Sequence, residues 1–167
     1  LTFQLAWRAV QSQPIERKLW AYSSFDRIAA AQTARDLHPR WLPGTPLLSE
    51  AAFTQRCRWA GIGSQHRELV KLNPDGHSDS PPIPDRLALV FVSFQSFTEV
   101  RAVLRWLTPR LSNGVILAFE HYHCGTRFDC SGARNALLDV QASRSDLAFE
   151  PYRPFGLAGL SFVVEDA

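Results

Sequence analysis

The sequence predicts an α/β chain: a three-layer sandwich of helices around a mostly parallel sheet, with an antiparallel strand pair at its carboxyl end. Three observations carry this expectation. The runs LALVFV (87–92) and VILAF (115–119) are apolar without alternation, the pattern of strands buried on both faces. Between them lies a segment with helical periodicity and a helix-start signal, so strand, helix and strand alternate. The last two apolar runs, LAFEPY (147–152) and LSFVVE (160–165), are joined by a connection short enough for antiparallel pairing.

The elements follow in order. LTFQLAWRAVQ reads as a mostly buried helix stopped by Pro14. RKLWAYSSF holds a short apolar strand over 18–23. The alanine-rich residues 26–38 are read as helical. HPRWLPGTP (38–46), with three prolines and one glycine, is a loop. Ser49 heads a helix through SEAAFTQRCRWAG, with Gly61 as its stop. RELVKL (67–72) is a strand, and NPDGHSDSPPIPD (73–85) is turn-rich and linker-like. After the strand at 87–92, Ser96 and Glu99 form a capping box. It opens a helix with apolar residues at 97, 100, 103, 104, 107 and 111. Asn113-Gly114 ends that helix, and Ser131 caps another, SGARNALLDVQA. This is the order of a Rossmann-like three-layer sandwich. Trp7, Trp20, Trp59 and Trp106 are assigned to the core, Trp41 to packing in the loop. Arg101, Arg105 and Arg110 are assigned to a solvated helix face.

Composition narrows the function classes. A chain of 167 residues, 46% hydrophobic, is long enough for one domain with a real core. A formal net charge of +2 is too small to imply a nucleic acid or a membrane surface as partner. No run has the length of a membrane span, and no signal peptide is visible. Cys57, Cys124 and Cys130 are odd in number and widely spaced, which is no disulfide framework; a reducing, cytoplasmic compartment is the simpler reading.

Ligands of open parallel sheets bind beyond the carboxyl ends of the strands. That rule selects Ser23, Ser24 and Asp26, then Ser93 to Gln95, then Glu120 to His123. AFEHYHC (118–124) holds four side chains of metal-binding type. On a continuing strand, however, His123 and Cys124 point to opposite sides, and no Cys-x-x-Cys accompanies them, which argues against structural zinc. Two bland alternatives stand beside a functional one: Glu120 as a solvated carboxylate at the sheet edge, and His121 as a surface or structural histidine. With an intrinsic pKa of about 6.5, His121 is also suited to be a general base.

The block DRLALVFVSFQSFTEVRAVLRWLTPRLSNGVILAFEHY resembles the carboxyl-terminal half of a class I S-adenosylmethionine-dependent methyltransferase, and more narrowly the macrocin O-methyltransferase (TylF-type) family. KLWAYSSFD is similar to that family's strand ending in Phe-Asp-Ser-Phe-Glu-Gly, and 49–63 fits as well. The resemblance implies S-adenosylmethionine as cofactor and a small-molecule hydroxyl, such as a sugar's, as acceptor; a homo-oligomer is left open. It places the first strand and the glycine-rich turn upstream of Leu1, in a single domain over 1–167.

Several positions depart from the family pattern. The acid that would bind the ribose hydroxyls falls on Ser23, with Asp26 three residues on. The Asp-x-Asp pair falls on Ser93 and Gln95, the tyrosine after it on Phe97, and the Asp-Asp-Tyr triplet on Glu120, His121 and Tyr122. The divalent cation expected of the family would keep Glu120 as its ligand, which is a poor basis for magnesium; Glu120 with His121 would suit a transition metal better. Two functions follow. One is O-methyl transfer with His121 or Glu120 as base and Ser23, Asp26 and Ser93 against the cofactor. The other is a catalytically inactive binding or scaffolding domain of the same fold. An unrelated nucleotide-binding domain is weaker, since no phosphate loop such as Gly-x-x-x-x-Gly-Lys is present.

Overall fold

A computed structural model describes residues 2–12, 16–37, 42–72, 81–94, 96–124 and 132–167. The expectations for Pro14, Trp41, Gln95, Cys130, the Ser131 cap and most of the 73–85 linker lie outside the described residues. The chain divides into two compact units, one of Leu1–Ala29 with Gly44–Ser78, the other of Ala30–Pro43 with Asp79–Ala167.

The first unit contains α1 (Thr2–Gln11), β1 (Leu19–Ser23), α2 (Glu50–Trp59) and β2 (Arg67–Lys71). β1 and β2 pair in parallel, from Leu19 opposite Arg67 to Ser23 opposite Lys71. Trp7, Cys57 and Ile62 form its buried core, with Leu19 and Phe53 packed against them. Ser49 caps α2 as expected, its hydroxyl accepting from Ala52 N. At the other end Gly61 takes the left-handed conformation, φ +75°. Ile62 N then reaches Cys57 O and Gly61 N reaches Arg58 O, the paired bonds that close a helix at a left-handed residue.

Several expectations fail in this part of the chain. α1 is not mostly buried: Trp7 is the one buried side chain among its described ones, and Leu5 is 57% exposed. Trp20 is half-buried rather than core. Trp59 is 78% exposed rather than core. It stands two residues after the buried Cys57, which carries it to the far side of α2. Residues 26–38 form no α-helix, only a 3-10 turn over Ala34–Asp36. The segment lacks an apolar stripe to bury, and alanine propensity alone does not nucleate a helix. Its backbone groups find partners elsewhere: Ile28 N donates to Thr45 O, and Gly44 N donates to Ile28 O.

The second unit holds β3 (Leu89–Val92), α3 (Phe97–Leu107), β4 (Ile116–Phe119), α4 (Gly132–Ser143), β5 (Leu147–Phe155) and β6 (Gly159–Asp166). Its sheet runs β3-β4-β6-β5. β3 and β4 are parallel, while β6 is antiparallel to both β4 and β5. The predicted terminal antiparallel pair is thus present. The mostly parallel sheet is not: the described strands form one parallel pair and one mixed sheet of four. Side-chain chemistry explains the order. β6 is apolar through LSFVV and tolerates neighbours on both sides. β5 carries Pro151 and Pro154, which cannot donate to a ladder, and takes the edge. Its register slips between Pro151 and Arg153. There the buried Ser161 hydroxyl donates to Arg153 O and accepts from Arg153 N.

Helix α3 begins where the capping box places it. Ser96 Oγ accepts from Glu99 N at 3.1 Å and donates to Glu99 Oε2 at 2.9 Å. Phe97, Val100, Leu104 and Leu107 form its buried stripe. Phe97, Val100 and Leu104, with Ala136 and Leu137 of α4, pack against alternate strand residues Val92, Leu117, Phe119 and Phe162, which lie on one face of the sheet. Leu104 has no exposed surface. Leu104→Ala is expected to cost about 2–5 kcal/mol by transfer and cavity terms together, whereas Trp59→Ala should change stability by no more than about 0.5 kcal/mol. Urea denaturation of both variants checks this contrast.

Candidate functional site

In the second unit the parallel pairing of β3 with β4 continues one residue past the strands. Glu120 N donates to Val92 O at 3.0 Å, which sets the Glu120 side chain beside Ser93. The Ser93 hydroxyl donates to Glu120 Oε2 at 2.5 Å, a short charge-assisted contact. His121 Nε2 lies 3.8 Å from the same oxygen. The Glu120 side chain is 44% exposed and that of His121 20%, so the carboxylate remains open to a ligand while the imidazole is mostly covered.

Beyond Glu120 the chain turns, and the alternation expected of a continuing strand stops. Cys124 N reaches back to His121 O, and Cys124 Sγ sits 3.7 Å from His121 Nδ1. The His123 backbone N–H donates to Ala158 O at the tip of the β5–β6 hairpin. Tyr122 packs among Phe119, Phe162 and His123, with ring centroids 6.0, 5.1 and 5.0 Å away. Burial pushes its phenol pKa up against the opposing pull of Arg134.

Ser93, Glu120 and His121 are therefore brought together. Ser23 and Asp26 belong to the first unit. Ser23 Oγ accepts from Phe25 N at 3.1 Å, and this turn holds Phe25 in the left-handed region at φ +53°, an uncommon place for an aromatic residue. Asp26 is exposed, and its carboxylate lies 3.7 Å from Arg27 Nε. Among the described residues no three His, Cys, Asp or Glu side chains gather as metal ligands. Glu120 and His121 supply two mixed donors, and Glu120 already accepts a hydrogen bond from Ser93. That set does not fit magnesium, which prefers octahedral oxygen coordination.

One residue at the start of α3 escaped the sequence reading. Asp36, on the 3-10 turn, grips the first turn of α3: Oδ1 accepts from Thr98 N and Oδ2 from Thr98 Oγ1, both at 2.8 Å. Oδ2 also accepts from Thr33 N at 2.9 Å. Burial pushes the Asp36 pKa up, yet the bonds from Thr98 and Thr33 outweigh it and leave the carboxyl below its usual range. Glu99, close by, is raised instead, first by burial and further by the Asp36 charge, against the Ser96 hydrogen bonds. Thr33-Ala-Arg-Asp36 was a readable signal, since Thr-x-x-Asp is a capping pattern.

No protein-family model matches this sequence, and no curated protein does. Solved structures do match. The O-methyltransferase NovP superposes with a TM-score of 0.71 at 20% identity, over 96% of this chain and 64% of NovP. The calicheamicin methyltransferase CalS11 gives 0.63 at 17% identity over 97% of this chain and 66% of its own. An apo structure of CalS11, described as a TDP-rhamnose 3'-O-methyltransferase, gives 0.55 at 19% identity. The chain spans 64% to 66% of the length of these structures. It has a methyltransferase-type α/β fold.

The opposed carboxyl groups make a pH prediction. Asp36 has a folded pKa below its unfolded value, so its stabilisation is complete above about pH 3.9 and is lost as pH falls through the lower folded value. Glu99 has the opposite sign: its contribution is complete below about pH 4.3 and is lost as pH rises through its raised folded value. Urea midpoints are expected to fall less steeply below about pH 4 in Asp36→Asn than in the parent protein. Near neutral pH, Glu99→Gln, which keeps an acceptor for Ser96, should raise the midpoint.

Proposed function

We propose that this chain is part of an S-adenosylmethionine-dependent O-methyltransferase acting on a hydroxyl of a small molecule, in the manner of the macrocin type. The observation that carries the reading is the Ser93–Glu120–His121 cluster at the carboxyl ends of two parallel strands, where sheets of this kind place their ligands. The match of nearly the whole chain to O-methyltransferase structures supports it. One of those structures is described as methylating TDP-rhamnose, which supports a sugar hydroxyl as acceptor.

S-adenosylmethionine would supply a methyl group on a sulfonium. Ser23 and Asp26 offer a hydroxyl and a carboxylate suited to ribose hydroxyls, and Ser93 offers a further hydroxyl. The chain's own chemistry at the acceptor is proton removal. Glu120, exposed and oriented by Ser93, takes the hydroxyl proton. His121, next to the same oxygen, either shares that proton or stabilises the carboxylate. A positioned base contributes roughly 10²–10⁴-fold, and alignment of the reacting atoms supplies much of the rest. No step depends on a divalent cation.

A second reading is a catalytically inactive binding or scaffolding domain of the same fold. The residues that favour it are Ser23, Ser93 and Gln95, which stand where the resemblance expects acids.

Calorimetric titration with S-adenosylmethionine or its demethylated product, with and without magnesium, separates the two readings. Micromolar binding indifferent to magnesium is expected of the enzyme, and no detectable heat would exclude it. Given a methylated acceptor, Glu120→Gln should lower kcat by roughly 10²-fold or more with little change in donor affinity.

A further inference from the structure

We infer that Asp36 is a positioning residue for the Glu120 site: it fixes the first turn of α3 and, through it, the short connection from which Ser93 reaches Glu120.

Only four residues separate the end of β3 at Val92 from the start of α3 at Phe97. Ser93 is the first of them and Ser96, the helix cap, is the last. Ser93 holds Glu120 at 2.5 Å, and the connection it belongs to is anchored at both of its ends. The β3 end is fixed by the ladder to β4. The α3 end is fixed twice over from the 33–36 turn. Asp36 binds both the amide and the hydroxyl of Thr98. Arg35 lies over the Phe97 ring at 5.0 Å, with Arg101 at 5.7 Å, a cation–π arrangement on a ring that is only 5% exposed.

An ordinary N-cap requires none of this, because Ser96 already accepts from Glu99 N. The second carboxylate has a different consequence: it immobilises the helix start relative to the 33–36 turn. A shift of about 1 Å in a supporting element is enough to lose a catalytic alignment.

The activity arm of the test rests on the proposed function; the spectroscopic arm does not. The side-chain carboxyl carbon of Glu120, followed by NMR at neutral pH, reports the Ser93 hydrogen bond, and Ser93→Ala defines the signal of its loss. Asp36→Ala is expected to move the Glu120 signal at least half of the way to the Ser93→Ala value, and to speed exchange of the Thr98 amide by about tenfold. Asp36→Asn, whose carbonyl still accepts from Thr98 N, should restore part of both. Ser49→Ala removes a cap of similar strength from α2 and should leave the Glu120 signal in place, which separates positioning from a general loss of stability. Thr98→Val, removing one side-chain bond alone, should move the signal the same way by less, and serves if Asp36→Ala does not fold. In the methyl-transfer assay, Asp36→Ala should lower kcat with KM for the donor nearly unchanged. A Glu120 signal that stays at its parent position in Asp36→Asn and Thr98→Val would overturn the inference. A parent protein that transfers no methyl group would overturn the function reading alone.

Discussion

The candidate site depends on one backbone constraint, the parallel pairing of β3 with β4. Parallel neighbours end on the same side of a sheet, so the residues that follow them are delivered to one edge whatever their chemistry. Here the pairing runs from Leu89 opposite Ile116 to Val92 opposite Phe119, and one further bond, Glu120 N to Val92 O, extends it. That last bond decides which side chains meet. A slip of one residue would turn Glu120 to the other face of the sheet and separate it from Ser93. The register is held by burial: Leu117 and Phe119 have no exposed surface and Val92 has 3%, so the apolar face cannot shift without exposing them. Stability and site geometry therefore share a cause.

The same logic links the site to α3. The helix is bound to the sheet by its apolar stripe, which settles its distance and rotation. Its starting point is a polar matter, settled by Ser96 and Asp36 at the orphan amides of the first turn. The two carboxyl groups in this cluster are driven apart. Asp36 receives several hydrogen bonds and stays ionised; Glu99 is buried with fewer donors and resists ionisation. Two full charges packed together would repel each other, and unequal hydrogen bonding relieves this.

Much of this arrangement was legible in the sequence. β3 and β4 announce themselves as unbroken apolar runs, α3 and α2 by Ser-led starts, and the end of α2 by Gly61; α3 ends at Leu107, short of the Asn113-Gly114 stop the sequence suggests. These signals are local, and each is enforced by a short-range cause: burial, a cap, a left-handed backbone. What escaped was non-local. Alanine-rich 26–38 has helical propensity, but partners at Thr45 and Thr98 outbid it, and neither is near in sequence. Trp59 looks like a core residue by composition and is placed outside by the helical angle from Cys57. The place of β6 between β4 and β5 follows from the proline content of β5, which bears on the sheet only once all four strands are compared. At the site, Glu120 and Ser93 were selected by the strand-end rule. The end of the strand at Phe119 is legible too, with His123 and Cys124 beginning the next loop; the contact that folds Cys124 back on His121 is not.

The replacement of acids by Ser93 and Ser23 bears on the proposed chemistry unevenly. An aspartate at position 93 would place a second negative charge beside Glu120, and a cation or a shared proton would have to hold the two together. A serine there needs no cation. Its hydroxyl donates to Glu120 and orients the carboxylate with no like charge to offset. Methyl transfer from a sulfonium to a hydroxyl brings no new anion to be stabilised, provided the acceptor's proton has somewhere to go; its main demands are alignment and a base. In the proposed reaction Glu120 or His121 would offer the base, and the β3–β4 ladder would offer the alignment. The loss of acids thus weighs most heavily against metal binding, and only secondarily against catalysis. At Ser23 the proposed role differs: a hydroxyl hydrogen-bonds a ribose less strongly than a carboxylate does, so in the proposed enzyme a serine there would weaken donor affinity rather than the chemical step.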